Sequence, residues 1–211
     1  MSDESGVEQR TPEWYEARLG RATASRFKDV LATIRNGESA ARRNYRAELV
    51  AERLTGKPFE RYRTSAMDFG TETEELAHMT YMLTTGNKVE ETGFWKHKAL
   101  EAGASPDGLI GDDGTLEIKC YNLANHIDTL CTGQMPKEHY PQVQGQLLMT
   151  GRKWTDFVSF APELPENAQI MIVRVERDDS YIEMLEAELE KFLKEVASEV
   201  EFVNNYERIK K

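Results

Sequence analysis

Between Ser39 and Leu54 the apolar side chains Tyr45, Leu49, Val50 and Leu54 recur at near-helical spacing, which predicts a helix with one buried face, ended by Thr55-Gly56-Lys57-Pro58. Upstream, Thr11-Pro12-Glu13 reads as a helix start, with Thr as N-cap and Pro in the first turn, carrying Trp14 and Leu19 inward and stopping at Gly20. A second short helix starts at Thr23-Ala24-Ser25 and buries Phe27, Val30 and Leu31, and Arg35-Asn36-Gly37 is a turn. From Gly70, residues Leu76, Ala77, Tyr81 and Leu83 predict another helix, which ends at Gly86-Asn87.

After Gly86 the period changes from about 3.6 to 2. A strand is expected over residues 89–95, and a short one near Gly103 to Ser105. Asp107–Ile110 and Thr115–Cys120 then read as two strands joined by Gly111-Asp112-Asp113-Gly114, a hairpin signal. Residues 123–131 and 138–149 read as helices, while Trp154–Phe160 and Ile170–Val175 are rich in strand-forming residues. The closing stretch, 180–207, places Leu185, Leu189, Phe192, Val196, Val200 and Val203 on one stripe; it covers too few heptads for a coiled coil and reads as core packing. Helices, a meander of strands, a helix pair, two further strands and a last helix fit an α/β domain whose mixed sheet is flanked by helices. Residues 1–10 are polar and read as a disordered leader without a secretory apolar region, ahead of a single domain over 11–211.

Composition narrows this further. The 211 residues fit one domain, with 39% hydrophobic and 30% charged residues, as in soluble globular proteins. Two cysteines, Cys120 and Cys131, are too few for a disulfide framework or a four-cysteine metal centre, which points to a reducing compartment. A net charge of −10 argues against a protein that coats DNA by bulk attraction. It leaves room for a local basic strip, for which Arg18 with Arg21, Arg26 with Lys28, and Arg42, Arg43 and Arg46 are candidates; each is also a normal solvated helix face.

The chemistry sits in Ser105-Pro106-Asp107-Gly108 and, after eight further residues, Glu117-Ile118-Lys119. On a strand, Glu117 and Lys119 project from one face. Asp107 opens the neighbouring strand, so its carboxylate can sit beside that of Glu117. Paired carboxylates repel unless a cation lies between them, and hard oxygen ligands suit Mg²⁺ or Mn²⁺. The Ile118 carbonyl could add a further oxygen, and Lys119 would stand near enough to orient a water for attack on phosphorus. An exposed hairpin with a surface ion pair is the plainer alternative; the Ser-Pro-Asp-Gly lead-in and the hairpin context favour chemistry.

Ser105-Pro106-Asp107-Gly108-Leu109 followed by Leu116-Glu117-Ile118-Lys119-Cys120 resembles the lambda exonuclease/YqaJ-type viral recombinase family of PD-(D/E)XK nucleases. Three more stretches match in order: Arg18-Leu19-Gly20-Arg21-Ala22-Thr23-Ala24-Ser25, Gly70-Thr71-Glu72-Thr73-Glu74, and Tyr140-Pro141-Gln142-Val143-Gln144-Gly145-Gln146-Leu147. The resemblance implies a PD-(D/E)XK core with Asp107, Glu117, the Ile118 carbonyl and Glu74 around Mg²⁺, two ions per site with Mn²⁺ as a substitute, and Lys119 as the catalytic lysine. It further implies that Arg18, Ser25, Ser105 and Gln142 line the place of a 5′-phosphate or scissile strand. Outside the matched stretches, Arg35 could reach a DNA groove or be a solvated loop arginine, and Met67 could be a wedge at the point of strand separation, a core or rim methionine being the plainer role. Family members digest the 5′-ended strand of linear duplex DNA as ring-shaped homotrimers and work with a single-strand annealing protein in phage recombination, which implies a phage or prophage origin and a bacterial cytoplasm. This chain departs from the pattern at His139, where the family often has tyrosine. Two other classes stay open: an endonuclease on the same fold, and a DNA-end-binding protein without catalysis. His78 could support Glu74 from one turn away, although a helix-surface histidine is the plainer role; Cys120 and the tryptophans 14, 95 and 154 read as core.

Overall fold

The structure, a computed structural model, describes residues 3–4, 7–59 and 65–207, with side chains for 7–59 and 73–207. In chain order its elements are β1 (Asp3–Glu4), α1 (Pro12–Arg18), β2 (Ala22–Thr23), α2 (Phe27–Val30), α3 (Ala40–Thr55) and α4 (Ser65–Thr85). Short strands follow: β3 (Val89–Glu90), β4 (Trp95–Lys96), β5 (Ala102–Ala104) and β6 (Gly108–Ile110). The remainder is β7 (Gly114–Cys120), α5 (Leu123–Thr132), α6 (Tyr140–Thr150), β8 (Trp154–Phe160), β9 (Ile170–Glu176) and α7 (Asp179–Asn204).

The larger sheet has the order β3-β6-β7-β8-β9. β6 and β7 form the expected antiparallel hairpin, β7 and β8 run parallel, and β9 closes antiparallel to β8. A parallel pair needs a crossover, which α5 and α6 supply. Alternation along β7 divides its side chains between two layers. Leu116 and Ile118 pack with Val158 and Phe160 against Ala77 and Tyr81 of α4. On the opposite face, Phe157 of β8, the register partner of Glu117, packs with Val143 and Leu147 of α6 and Ile182 of α7. A third apolar cluster joins Phe27 and Val30 of α2, Tyr45 and Leu49 of α3, and Leu185, Leu189, Phe192 and Val196 of α7. Most of the side chains spaced helically in the sequence are thus buried, but Leu76, Leu83 (87% exposed) and Val203 face outward. Gly145 sets how deeply α6 sits: a Cβ there would lie 2.5 Å from Phe27 Cδ2, so only glycine lets the two helices approach this closely.

Several expectations change. The apolar run 89–95 is not one strand: β3 joins the large sheet, whereas β4 joins a small sheet ordered β1-β4-β5-β2. The stretch read as a disordered leader contributes β1, which pairs with β4, and Gln9 donates to the carbonyls of Thr92 (3.0 Å) and Pro106 (2.7 Å). Helix α1 buries no residue completely, so Trp14 and Leu19 are half-buried. Trp95 and Trp154 are half-buried too, and the Arg174 guanidinium stacks 3.6 Å over Trp154 while binding the buried Asp156. Arg42 and Arg46 pair with Glu38, Glu195 and Glu199, and Arg26 with Asp29 and Glu48, so these basic groups lock helices together instead of forming a free strip. Among the described residues, no helix is long and apolar enough to cross a membrane.

Candidate active site

Glu117 points from β7 towards α6 and is 1% exposed. A buried carboxylate requires compensating donors. Its Oε1 accepts from Lys119 Nζ (2.5 Å) and Gln142 Nε2 (2.5 Å), and its Oε2 accepts from Gln146 Nε2. The two glutamines are one helical turn apart on α6 and so share a face. The second of them was not among the candidates named from sequence. Its amide carbonyl Oε1 is buried without a partner among the described residues, because the amide is turned to give its N–H to Glu117.

Asp107 lies just before β6. Its N–H donates to Leu116 O (3.0 Å), and its Oδ2 accepts from Ile118 N–H (2.7 Å), which fixes the carboxylate against the strand bearing Glu117. Burial, and after it the charge of Glu117, pushes the Asp107 carboxyl well above its ordinary value, with Lys119 opposing. For Lys119, burial acts to lower the pKa, but Glu117 and Asp107 outweigh it and hold the side chain as ammonium. Two crowded carboxylates, with that of Asp107 raised by its neighbour and by burial, are the donor set a hard divalent cation fits. Glu74 stands apart from this pair: its Oε2 accepts from Arg10 Nη2 at 2.5 Å. Among the described residues no group of three or more His, Cys, Asp or Glu side chains is drawn together as a metal cluster, so Glu74 does not converge with Asp107 and Glu117 in this conformation.

His78, half-buried, bonds the Asp107 backbone and has a pKa lowered chiefly by burial, so it is more than a helix-surface residue. His139 is held neutral, its pKa taken down to about 4 by burial and then by the charges of Lys119 and Lys28. It bonds both the Tyr121 hydroxyl and Gln142, and so extends the chain of contacts that ends on Glu117. Cys120 is half-buried beside the α4 core layer; burial, then Glu74 and Asp107, pushes its thiol up to about 12.

A second group gathers on Ser105, two residues before Asp107. The Arg18 guanidinium is 4.0 Å from the Trp14 ring centre and donates to Ser105 Oγ (3.2 Å), which also accepts from Trp14 Nε1 (3.0 Å). Trp14, read as core, therefore braces an arginine. Ser25 is exposed, its hydroxyl 3.4 Å from Thr23 Oγ1, and Gln142 is turned to Glu117. The four residues expected to share one phosphate pocket are therefore divided: Arg18 and Ser105 touch each other, while Gln142 belongs with the carboxylates. Arg35 is exposed in the turn closed by the Thr33–Glu38 bridge. The side chain of Met67 lies outside the described residues.

Comparison with known proteins follows this geometry. The family model described as the YqaJ-like viral recombinase domain matches residues 13–153. The chain is similar to an alkaline exonuclease, LHK-Exo, from Laribacter hongkongensis, at 44% identity and a TM-score of 0.85 over 92% of this chain and 96% of that one. A second structure of LHK-Exo, in complex with dAMP, matches at 44% identity, a TM-score of 0.86 and the same coverage. A phage-related exonuclease from Haemophilus somnus 129PT has the same fold, with a TM-score of 0.71 at 15% identity over 87% of this chain and 96% of that one. Comparison with curated protein sequences finds no match. The architecture, a mixed sheet flanked by helices with Asp107, Glu117 and Lys119 on its central hairpin, is that of the PD-(D/E)XK fold.

Proposed function

The chain belongs to the YqaJ-like viral recombinase domain family, and from that membership we propose that it is a Mg²⁺-dependent exonuclease that digests the 5′-ended strand of linear duplex DNA. The observation that carries this reading is the buried Asp107–Glu117 pair with Lys119 bonded to it. Asp107, Glu117 and the Ile118 carbonyl would hold the cation; Glu74, which lines the same cavity as Asp107 but pairs with Arg10, would turn from Arg10 to reach a second ion or its water. A cation held there would supply positive charge for the developing phosphorane and would acidify water. Mn²⁺ would substitute, having the same preference for oxygen donors.

The remaining steps rest on side chains of this protein. Lys119, held as ammonium, orients the attacking water and opposes the negative charge that develops on phosphorus. Gln142 and Gln146 hold Glu117 in one orientation, so its carboxylate need not reorganise when substrate enters. Arg18, stacked on Trp14 and bonded to Ser105, presents a planar fork suited to a terminal 5′-phosphate, with Ser25 nearby in sequence adding a hydroxyl. Arg35 would enter a groove and Met67 would part the terminal base pair. The dAMP held by the relative LHK-Exo is a deoxynucleoside monophosphate, the kind of product that stepwise hydrolysis of one strand releases. In this reading the protein acts as a ring-shaped homotrimer with a single-strand annealing protein, in phage-type recombination within a bacterial cytoplasm.

The test offers 5′-phosphorylated, 5′-hydroxyl and closed circular duplexes to the protein with Mg²⁺, with Lys119→Ala as control. Loss of the linear 5′-phosphorylated strand, an intact circle and an inert control are expected. Cutting of the circle would place the protein among endonucleases; end binding without any digestion would make it a silent binding protein.

A further inference from the structure

Beside the Asp107–Glu117 pair lies a cavity of about 490 Å³ lined by five carboxylates, Glu8, Glu74, Glu75, Glu91 and Asp107, among neutral residues such as Val7, Gln9 and Thr92. A DNA strand brought over Asp107 must pass these carboxylates. Among the described residues lining the cavity, Arg10 alone is a permanent cation; His78, the other basic group, has its pKa lowered by burial. Arg10 is 49% exposed and gives one N–H, from Nη2, to Glu74 at 2.5 Å; the guanidinium makes no other hydrogen bond among the described residues. Most of its donor fork is thus open to the cavity mouth.

The side chains of its two neighbours hold the chain at Arg10 in place from both sides. Gln9 is tied to Thr92 O and Pro106 O, the latter adjoining Asp107, and Thr11 caps α1 by accepting from Trp14 N–H while donating to Glu8 O. Between these anchors Arg10 adopts φ +69, the only left-handed non-glycine residue described. That conformation disfavours any residue with a Cβ, and such strain persists where surrounding contacts impose it, often at functional positions. A glycine would fit more easily but would bring no charge.

The geometry points to Arg10 as a phosphate-binding residue for the DNA strand that enters the carboxylate cavity, distinct from Arg18, which sits on Trp14 and Ser105 and does not line this cavity. Glu74 orients the guanidinium before substrate arrives, and the open N–H groups then meet a phosphate that the five carboxylates of the wall would repel. This rests on the nuclease reading above and adds to it the contact that lets a polyanion approach an acidic wall.

The experiment measures binding of a 5′-phosphorylated linear duplex by fluorescence anisotropy across a range of salt, with Mg²⁺, on a Lys119→Ala background that prevents digestion. Removing one phosphate contact reduces the slope of log affinity against log salt by about 0.9. Arg10→Ala and Arg10→Gly should both show that loss and bind several-fold more weakly at moderate salt, while Arg10→Lys keeps the slope. The glycine variant removes the backbone strain and should melt no lower than its parent, so a binding defect in it is not a folding defect. With Lys119 intact, both variants should raise KM with kcat within about threefold. An unchanged slope, or tighter binding and faster digestion as expected for a plug, overturns the assignment. If the unmodified protein digests no linear duplex, the nuclease reading itself fails; if it does and the slope does not move, only the role of Arg10 fails.

Discussion

Asp107→Asn should raise the stability of the metal-free protein while removing its response to metal. The side chain keeps its shape, and the Asn Oδ1 can still accept from Ile118 N–H, so the substitution mainly deletes one charge. Unit charges ~4–6 Å apart at an effective dielectric of ~20 interact by roughly 3–4 kcal/mol. Lys119 offsets part of the repulsion with Glu117, which leaves a net gain of about 1–3 kcal/mol from relieved repulsion and burial. For a chain of this size that is a rise of about 2–4 °C in melting temperature per kcal/mol. The pH dependence follows in sign. The folded Asp107 carboxyl titrates above its ordinary 3.8, so between these two values the folded chain holds a proton the unfolded chain has released, and stability falls as pH rises through that window. The advantage of Asn should therefore vanish near pH 3.8 and grow towards neutrality. Added Mg²⁺ reverses the order: wild type gains about 2.7 kcal/mol at a hundredfold excess over its Kd, and the variant gains little. Melting scans in EDTA and in Mg²⁺ across pH 4–8 measure both effects. A variant that melts below wild type in EDTA, or that gains as much from Mg²⁺, would refute the account of Asp107 and Glu117 as a crowded pair awaiting a cation.

Other expectations follow from the same neighbourhood. Gln146→Leu removes a donor to Glu117 worth about 1.5–3 kcal/mol but also removes an unpartnered buried carbonyl of similar cost, so stability should move by under about 1 kcal/mol while cleavage drops at least tenfold; urea midpoints and initial rates separate the two. Gly145→Ala pushes α6 against Phe27 and should cost about 1–3 kcal/mol in urea unfolding, partly recovered by Phe27→Leu. Lys119 titrates above its ordinary 10.5, so its contribution to stability is complete below that value and is lost only as pH rises through the higher folded value; the rate should show no alkaline limb from this residue up to about pH 10.

The hairpin and its chemistry were legible because they are local. Alternation on β7 and the turn at 111–114 put Glu117 and Lys119 on one face, and Asp107 is only 11 residues from the Ile118 N–H it receives. What was not legible depends on distant segments. A glutamine such as Gln146 carries no signal that it faces a carboxylate 29 residues earlier. Polar composition made the stretch around Gln9 and Arg10 read as disordered, although its anchors are Thr92 and Pro106. The run 89–95 looked continuous because sheet membership is decided by partners far along the chain, and Trp154 read as core because nothing local shows that Arg174 stacks on it, whereas Trp14 and Arg18 stand one helical turn apart, a spacing that carried the signal.

The parallel pairing of β7 with β8 carries a consequence for the order of assembly. A hairpin such as β6–β7 closes in microseconds, whereas a parallel pair waits for its whole crossover to collapse. The glutamines that hold Glu117 ride on that crossover, and Arg10 reaches Glu74 across 64 residues. Asp107 and Glu117 therefore meet early, as two bare carboxylates in water, and acquire their donors only when the chain completes its slow, non-local contacts. A nascent or partly unfolded chain holds the two acids without the donors that surround them in the fold, so the complete site arrives only together with the native state.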